Sequence, residues 1–270
     1  MTVFYTGSQI TNAPVIGWHS VLRTQDITAS SASTTRPVIN LWAPDTAMLW
    51  EPTADDASLT LFNSTGAPVD YIGMARHNFA ADSISYSIDV STDGTTFTAL
   101  KALKAITHES PIIDVFAPQI GPYFKITFDH ASGVKPRLAH IKLGELLTLP
   151  RNQFVGQKPS ALALYAEGTT QMSENGQYLG RINTNTFRKS SCSQKNITQA
   201  FVYSKIAPFS AHANCTAVNK LVAQGAYLYA WRPEDYPNDV IYGWTANTIH
   251  PSNEQPNGMM AVDFDIEAIA

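Results

Sequence analysis

The stretch Ile84-Ser85-Tyr86-Ser87-Ile88-Asp89-Val90 alternates apolar and polar residues without a break. Side chains along a strand point to opposite faces in turn, so Ile84, Tyr86, Ile88 and Val90 share one face. A helix is excluded here, because its apolar positions recur every three to four residues. Asp93-Gly94 follows as a tight-turn pair, and Phe97 begins a returning strand. The same period recurs in Ser58–Asn63 and in Phe124, Ile126 and Phe128. Val69 to Met74 is instead a continuous apolar run, the pattern of a strand covered on both faces. Leu138 to Leu143 gives another strand. Six or more short strands over about 110 residues, separated by turn signals, predict an antiparallel β-sandwich.

Composition supports that reading. The chain has 270 residues, 44% hydrophobic and only 15% charged, which disfavours long helices held by charge pairs. A net charge of −4 and the absence of a Lys/Arg-rich run argue against a nucleic-acid partner. No apolar stretch approaches the roughly 18–20 residues of a membrane span, so no membrane insertion is expected. The opening MTVFYTGSQI has neither a basic nor an apolar signal region and is read as no secretory signal. Cys192 and Cys215 lie in no Cys-x-x-Cys motif and are read as free thiols of a protein made in a reducing cytoplasm.

Leu149 to Pro159 has proline near each end and no periodicity, which places a linker at 149–159. It separates residues 1–148, a polar N-terminal arm and a first sandwich, from a second β domain over 160–270. In the second part, Ala161 to Ala166 and Phe201 to Ile206 read as strands. Residues 177–198 read as a long exposed hairpin or loop, and Thr216 to Gln224 as at most one short helix. Tyr227, Tyr229 and Trp231 mark an aromatic strand. The last strand turns Val262, Phe264 and Ile266 inward and Asp263, Asp265 and Glu267 outward.

Few residues propose chemistry. The seven histidines show no metal-ligand spacing, and neither a nucleophile elbow nor a phosphate loop is present. No catalytic residue, metal or cofactor is expected, and the chain is read as a non-enzyme. Arg76-His77-Asn78 ends the apolar run that starts at Val69. It reads either as a sugar-contacting rim, together with Trp42 and Trp50, or as the ordered end of a strand whose side chains satisfy backbone groups. Asp263, Asp265 and Glu267 read as a solvated face, as a cation site, or as a carboxylate row that meets basic residues of a neighbouring subunit. Arg181, Arg188, Lys189 and Lys195 supply the complementary charge.

Two blocks carry a resemblance. Val38-Ile39-Asn40-Leu41-Trp42-Ala43-Pro44-Asp45-Thr46, with Trp50, resembles the opening of a discoidin-like (galactose-binding-like) β-sandwich. Val69 to Asn78, Tyr86 to Gly94 and Ile141 to Gly144 are similar to its later strands. Tyr229 to Pro237, Tyr242-Gly243-Trp244 and Pro256 to Val262 resemble minor tail proteins of long-tailed phages. The resemblance implies an all-β chain, a discoidin-like antiparallel sandwich followed by a tail-tube-related β-sandwich. It also implies a structural virion protein, a distal-tail or baseplate component made in the host bacterial cytoplasm. Its partners would be itself in a cyclic homo-oligomer (a hexamer, with a trimer as alternative), the tail tube and baseplate hub, and a host glycan. The alternative is an adhesin module whose main work is binding a host-surface polysaccharide.

Overall fold

The computed structural model describes residues 3–4, 12–153, 159, 162–215, 225–253 and 258–269. These residues form sixteen strands. In chain order they begin with β1 (Val3–Phe4), β2 (Val15–Gly17), β3 (Ile27–Ala29), β4 (Ser58–Phe62) and β5 (Val69–His77). Next come β6 (Ser85–Ser91), β7 (Thr98–Ala105), β8 (Ile112–Gln119), β9 (Tyr123–Asp129), β10 (Leu138–Gly144) and β11 (Leu147–Thr148). The last are β12 (Leu164–Met172), β13 (Tyr178–Ile197), β14 (Tyr227–Ala230), β15 (Val240–Thr245) and β16 (Met260–Ile269).

The architecture is all-β and built in layers. A five-stranded sheet, β3-β4-β9-β6-β7, packs on a four-stranded sheet, β1-β8-β5-β10. The core between them holds Trp50, Ile72, Met74, Phe79, Tyr86, Phe116, Phe124 and Leu143. This is the antiparallel sandwich that the alternating segments predict. A seven-stranded antiparallel sheet, β11-β2-β14-β15-β16-β13-β12, covers the other face of the four-stranded sheet. Val15, Tyr71, Ala75, Ile113, Leu228 and Tyr242 fill that second core. Strand β5 is therefore apolar on both sides, which is why its sequence shows a run rather than an alternation. Gly73 lies where the two sheets come closest. A Cβ there would sit 2.2 Å from Leu228 Cδ1, so only glycine lets β5 and β14 approach.

A charged group is buried inside the sandwich. Asp114 of β8 is fully enclosed and accepts a hydrogen bond from Tyr86 Oη at 2.8 Å and one from Lys104 Nζ at 2.6 Å. Lys101 Nζ lies 3.0 Å from its other oxygen. Two lysines and a phenol thus compensate one carboxylate, which ties β6 and β7 to β8.

The second half differs from the sandwich expected there. Its strands make a single sheet, and the far face of that sheet is covered by a helical segment, 199–213. The segment runs through α1 (Gln199–Phe201), a π turn (Val202–Ile206) and α2 (Ala207–Ala213). Phe201 to Ile206 is helix, not strand: Val202, Ile206, Phe209 and Ala213 recur at helical spacing and all face the third core. Thr198 caps the start, its hydroxyl accepting the Phe201 N–H. Pro208 has no N–H to offer the preceding turn, and the wider π turn accommodates it. The helix expected over 216–224 lies outside the described residues. Residues 178–197 form one long strand, β13, in a hairpin with β12.

Strands β2 and β11, both within 1–148, belong to the seven-stranded sheet alongside strands from 164–269. In the segment 149–159, Leu149 is buried in the third core and its N–H donates to the Pro14 carbonyl at 2.9 Å. The Gln153 amide donates to Tyr229 Oη at 2.7 Å, and its carbonyl accepts the Ser193 N–H at 3.0 Å. Residues 154–158 lie outside the described residues.

Candidate functional site

Where the sandwich meets the seven-stranded sheet, a cleft of about 700 Å³ opens. Arg76 and His77, at the end of β5, form one wall with His108, Glu109, Ser110 and Pro111 from the segment before β8. Thr186 and Arg188 of β13, the turn Asn238-Asp239, Val240 and Ile241 of β15, and Ile269 of β16 form the other. The lining mixes polar and apolar groups in similar measure, and strands hold most of it.

Arg76 has a backbone φ of 52°, in the left-handed region that non-glycine residues seldom occupy. It follows Ala75, which is buried against the seven-stranded sheet, and precedes His77, which is buried as well. The reversal lets both neighbours stay inside while the guanidinium stands in the cleft. Arg76 is exposed, and its side chain makes no hydrogen bond or ion pair among the described residues.

His77 is locked. Its ring stacks on Phe79 with centroids 4.4 Å apart, and Nε2 donates to the Ser110 carbonyl at 3.0 Å. Nδ1 lies 3.2 Å from Glu109 Oε2. Burial acts to raise the pKa of the Glu109 carboxyl. Hydrogen bonds from His77 and from the backbone N–H groups of Ala81 and Ala80 outweigh it, and the carboxyl is held below the usual range. Asp239 is nearly buried and accepts the indole N–H of Trp231 at 2.7 Å. Trp231 in turn stacks on Tyr236, with centroids 5.3 Å apart. Both walls are thus braced from behind.

The structure divides the residues singled out in the sequence. Arg76 and His77 line the cleft, and so does Arg188, which the sequence suggested only as an interface residue. Asn78 works as a brace: its amide donates to the Lys135 carbonyl at 2.9 Å and its oxygen accepts the Arg137 N–H at 2.7 Å. Trp50 is buried in the sandwich core, its indole donating to the Ser31 carbonyl at 3.2 Å. Trp42 packs half-buried against the same core. Neither tryptophan lines the cleft, so the expected aromatic rim does not assemble around Arg76. His108, Glu109, Ser110, Asn238 and Asp239 were not anticipated. The only signal was the polar run Thr107-His108-Glu109-Ser110 between Ile106 and Pro111-Ile112.

The carboxylate row is partly answered within the chain. Lys189 Nζ lies 3.1 Å from Glu267 Oε1, directly across the β13–β16 pair. Asp265 accepts from the Asn247 amide at 3.2 Å, while Asp263 sits opposite Ser193. Arg181 donates to the Ala166 carbonyl at 2.6 Å, and Lys195 is exposed.

Among the described residues, no group of three or more His, Cys, Asp or Glu is placed to hold a metal. The cleft offers hydrogen-bonding groups of both signs, and Ser110 presents its carbonyl rather than its hydroxyl to His77.

No family model and no curated protein matches the sequence. Solved structures do match part of the chain. One is a pectin-binding carbohydrate-binding module, with 16% identity and a TM-score of 0.39, covering 45% of this chain and 91% of the module. Another is chitosan-binding module 1 of a chitosanase/glucanase from Paenibacillus sp. IK-5, with 17% identity and a TM-score of 0.39, covering 46% of this chain and 98% of the module. A module from Clostridium perfringens in complex with GalNAc-β-1,3-galactose has 14% identity and a TM-score of 0.39, covering 44% and 93%. These neighbours are carbohydrate-binding modules and not phage proteins. The expected terms virion, viral tail, phage tail tip, baseplate, distal tail and minor tail protein are corrected on that finding.

Proposed function

We propose that this chain is a polysaccharide-binding module of the adhesin type, and that the cleft around Arg76 is its ligand site. The observation that carries the reading is Arg76 itself. It is a cation without a partner among the described residues, held at φ 52° on a rigid strand and facing a cleft large enough for one or two sugar rings. Neighbouring hydroxyls of a sugar accept and donate in pairs, which suits planar groups such as Arg76, Glu109, Asn238 and Asp239.

The test is titration of the full chain against a panel of neutral and uronate-bearing oligosaccharides by calorimetry. Binding is expected with a dissociation constant on the order of 0.1–1 mM, about 4–5 kcal/mol. Arg76→Ala should weaken it at least about tenfold, the loss of one charge-assisted contact, without changing the far-UV spectrum. A panel with no binder, or binding untouched by Arg76→Ala, defeats the assignment.

A further inference from the structure

The cleft makes two opposite chemical demands. Arg76 offers a planar fork of N–H donors that is charged at any working pH and accepts nothing. No hydrogen bond or ion pair among the described residues engages that fork. A carboxylate meets it through two parallel bonds and cancels its charge, whereas a hydroxyl offers one oxygen and leaves the charge standing. Arg188 brings a second guanidinium into the lining from the opposite wall.

Glu109 and Asp239 make the reverse demand, because a carboxylate only accepts. Glu109 Oε1 takes the Ala81 N–H at 2.6 Å, and Oε2 lies 3.2 Å from His77 Nδ1. These contacts fix the carboxylate in place, yet it has about four lone-pair sites and its side chain is 42% exposed. It can therefore accept further hydrogen bonds from the hydroxyls of a ligand. Asp239 stands on the other wall, held by the Trp231 indole N–H at 2.7 Å. Two fixed carboxylates on facing walls repel a ligand that is densely anionic.

A ligand answers both demands when a single carboxylate and several hydroxyls share one ring. A neutral sugar suits Glu109 but leaves Arg76 without a counter-charge. A polyphosphate or a densely sulfated glycan suits Arg76 but sets its remaining charges against Glu109 and Asp239. We infer that the cleft selects glycans built from uronic acids. The uronate carboxylate pairs with Arg76, and the ring hydroxyls donate to Glu109. Pro111, Ile241 and Ile269 add apolar surface to the same lining, on which the C–H groups of the ring pack. This class of ligand rests on the cleft assignment proposed above and narrows it from polysaccharide to acidic polysaccharide.

Calorimetric titration of the full chain with paired trisaccharides tests this. Each pair is a uronate trimer (of galacturonate, glucuronate, mannuronate or guluronate) and its C6-reduced neutral counterpart, which keeps every ring hydroxyl. At least one uronate should bind, and its neutral partner should bind at least about tenfold more weakly, the loss of one charge-paired contact. The preference should shrink as salt rises from about 0.02 to 0.5 M. Arg76→Gln keeps a hydrogen-bonding side chain without the charge and should bring the two affinities together. Glu109→Gln keeps an oxygen for the Ala81 N–H and should admit a densely sulfated oligosaccharide that the native chain rejects. Arg76→Gln alters an exposed side chain and carries the test by itself if Glu109→Gln folds poorly. Equal affinity for a uronate and its neutral partner, both weakened by Arg76→Ala, overturns the inference and leaves the cleft assignment standing. A uronate preference untouched by Arg76→Gln also overturns it, as does a monosulfated trimer bound as tightly as the uronate. A panel with no binder defeats the cleft assignment itself, and the ligand class falls with it.

Discussion

Arg76 illustrates a conflict between local backbone preference and the site. A residue with a Cβ held in the left-handed region costs about 1–3 kcal/mol in strain. Glycine removes that strain but loosens the unfolded chain, at about 0.4–1 kcal/mol. Strain relief is the larger effect, and the side chain has no partner among the described residues to lose. Arg76→Gly should therefore raise stability by up to about 1 kcal/mol, read from denaturant midpoints, while abolishing glycan binding. Arg76→Ala, which keeps the strain, should lose binding with little change in stability. A lower midpoint for Arg76→Gly would show that φ 52° is not strained here and would remove the argument that the site holds it there.

At the scale of elements, helix and strand in the segment after Thr198 make opposite claims about single side chains. As helix, Phe209 and Val202 are buried while Tyr203 is 66% exposed. As strand, Tyr203 would share an inward face with Lys205 or alternate against Val202. Phe209→Ala should cost about 3–5 kcal/mol, the usual loss for a buried phenylalanine, and Tyr203→Ala should stay within about 0.5 kcal/mol. Equal losses at the two positions would contradict the helix. Phe201 to Ile206 reads as a strand because Val202, Tyr203 and Ile206 each favour strands individually. The 4-3-4 spacing through Val202, Ile206, Phe209 and Ala213 was the stronger signal, and tertiary burial decided it. Strands β6, β9 and β16 were legible because each has one covered face, so period two survives in the sequence. The cleft was legible only on its β5 side. His108–Ser110 and Asn238-Asp239 join it through layer packing between distant segments, which no local pattern encodes.

Across the whole molecule, the sandwich, the seven-stranded sheet and the helical segment share a buried patch of titratable groups. Lys142 and His140 of β10 face away from the sandwich core. Lys142 Nζ donates to the Trp18 carbonyl at 3.3 Å, and burial lowers its pKa to about 8. Burial, followed by the Lys142 charge, lowers His140 to about 3 and His212 of α2 to about 4. His19 is lowered by burial as well, with Glu145 opposing. The unfolded chain binds protons on these histidines near pH 6.5, before the folded chain does. Their contribution is therefore complete above about pH 6.5 and is lost as pH falls toward 4. Two such groups are worth on the order of 5 kcal/mol across that window, a large share of the 5–15 kcal/mol typical of a folded chain. Asp70 acts the other way. Burial raises it to about 6, so its protonation favours the fold between pH 6 and 3.8, but its site is partly open and solvent screens the effect. Above pH 8 the sign of the lysine effect is also fixed: the unfolded chain keeps the Lys142 proton longer, so stability rises further toward pH 10. Buried Tyr71, Tyr86, Tyr227 and Tyr229 have raised pKa values and reverse the trend beyond that. The melting temperature should thus peak between about pH 8 and 10 and fall steeply from pH 6.5 to 4, in a single transition because the patch is shared by all layers. Lys142→Met should raise the melting temperature at pH 7 and flatten the alkaline rise, since it replaces a buried charge with an apolar side chain of similar length. Calorimetric scans from pH 4 to 10 decide it: a profile flat below pH 6.5, two separate transitions, or a Lys142→Met variant that melts earlier at pH 7 would each refute a common titrating core.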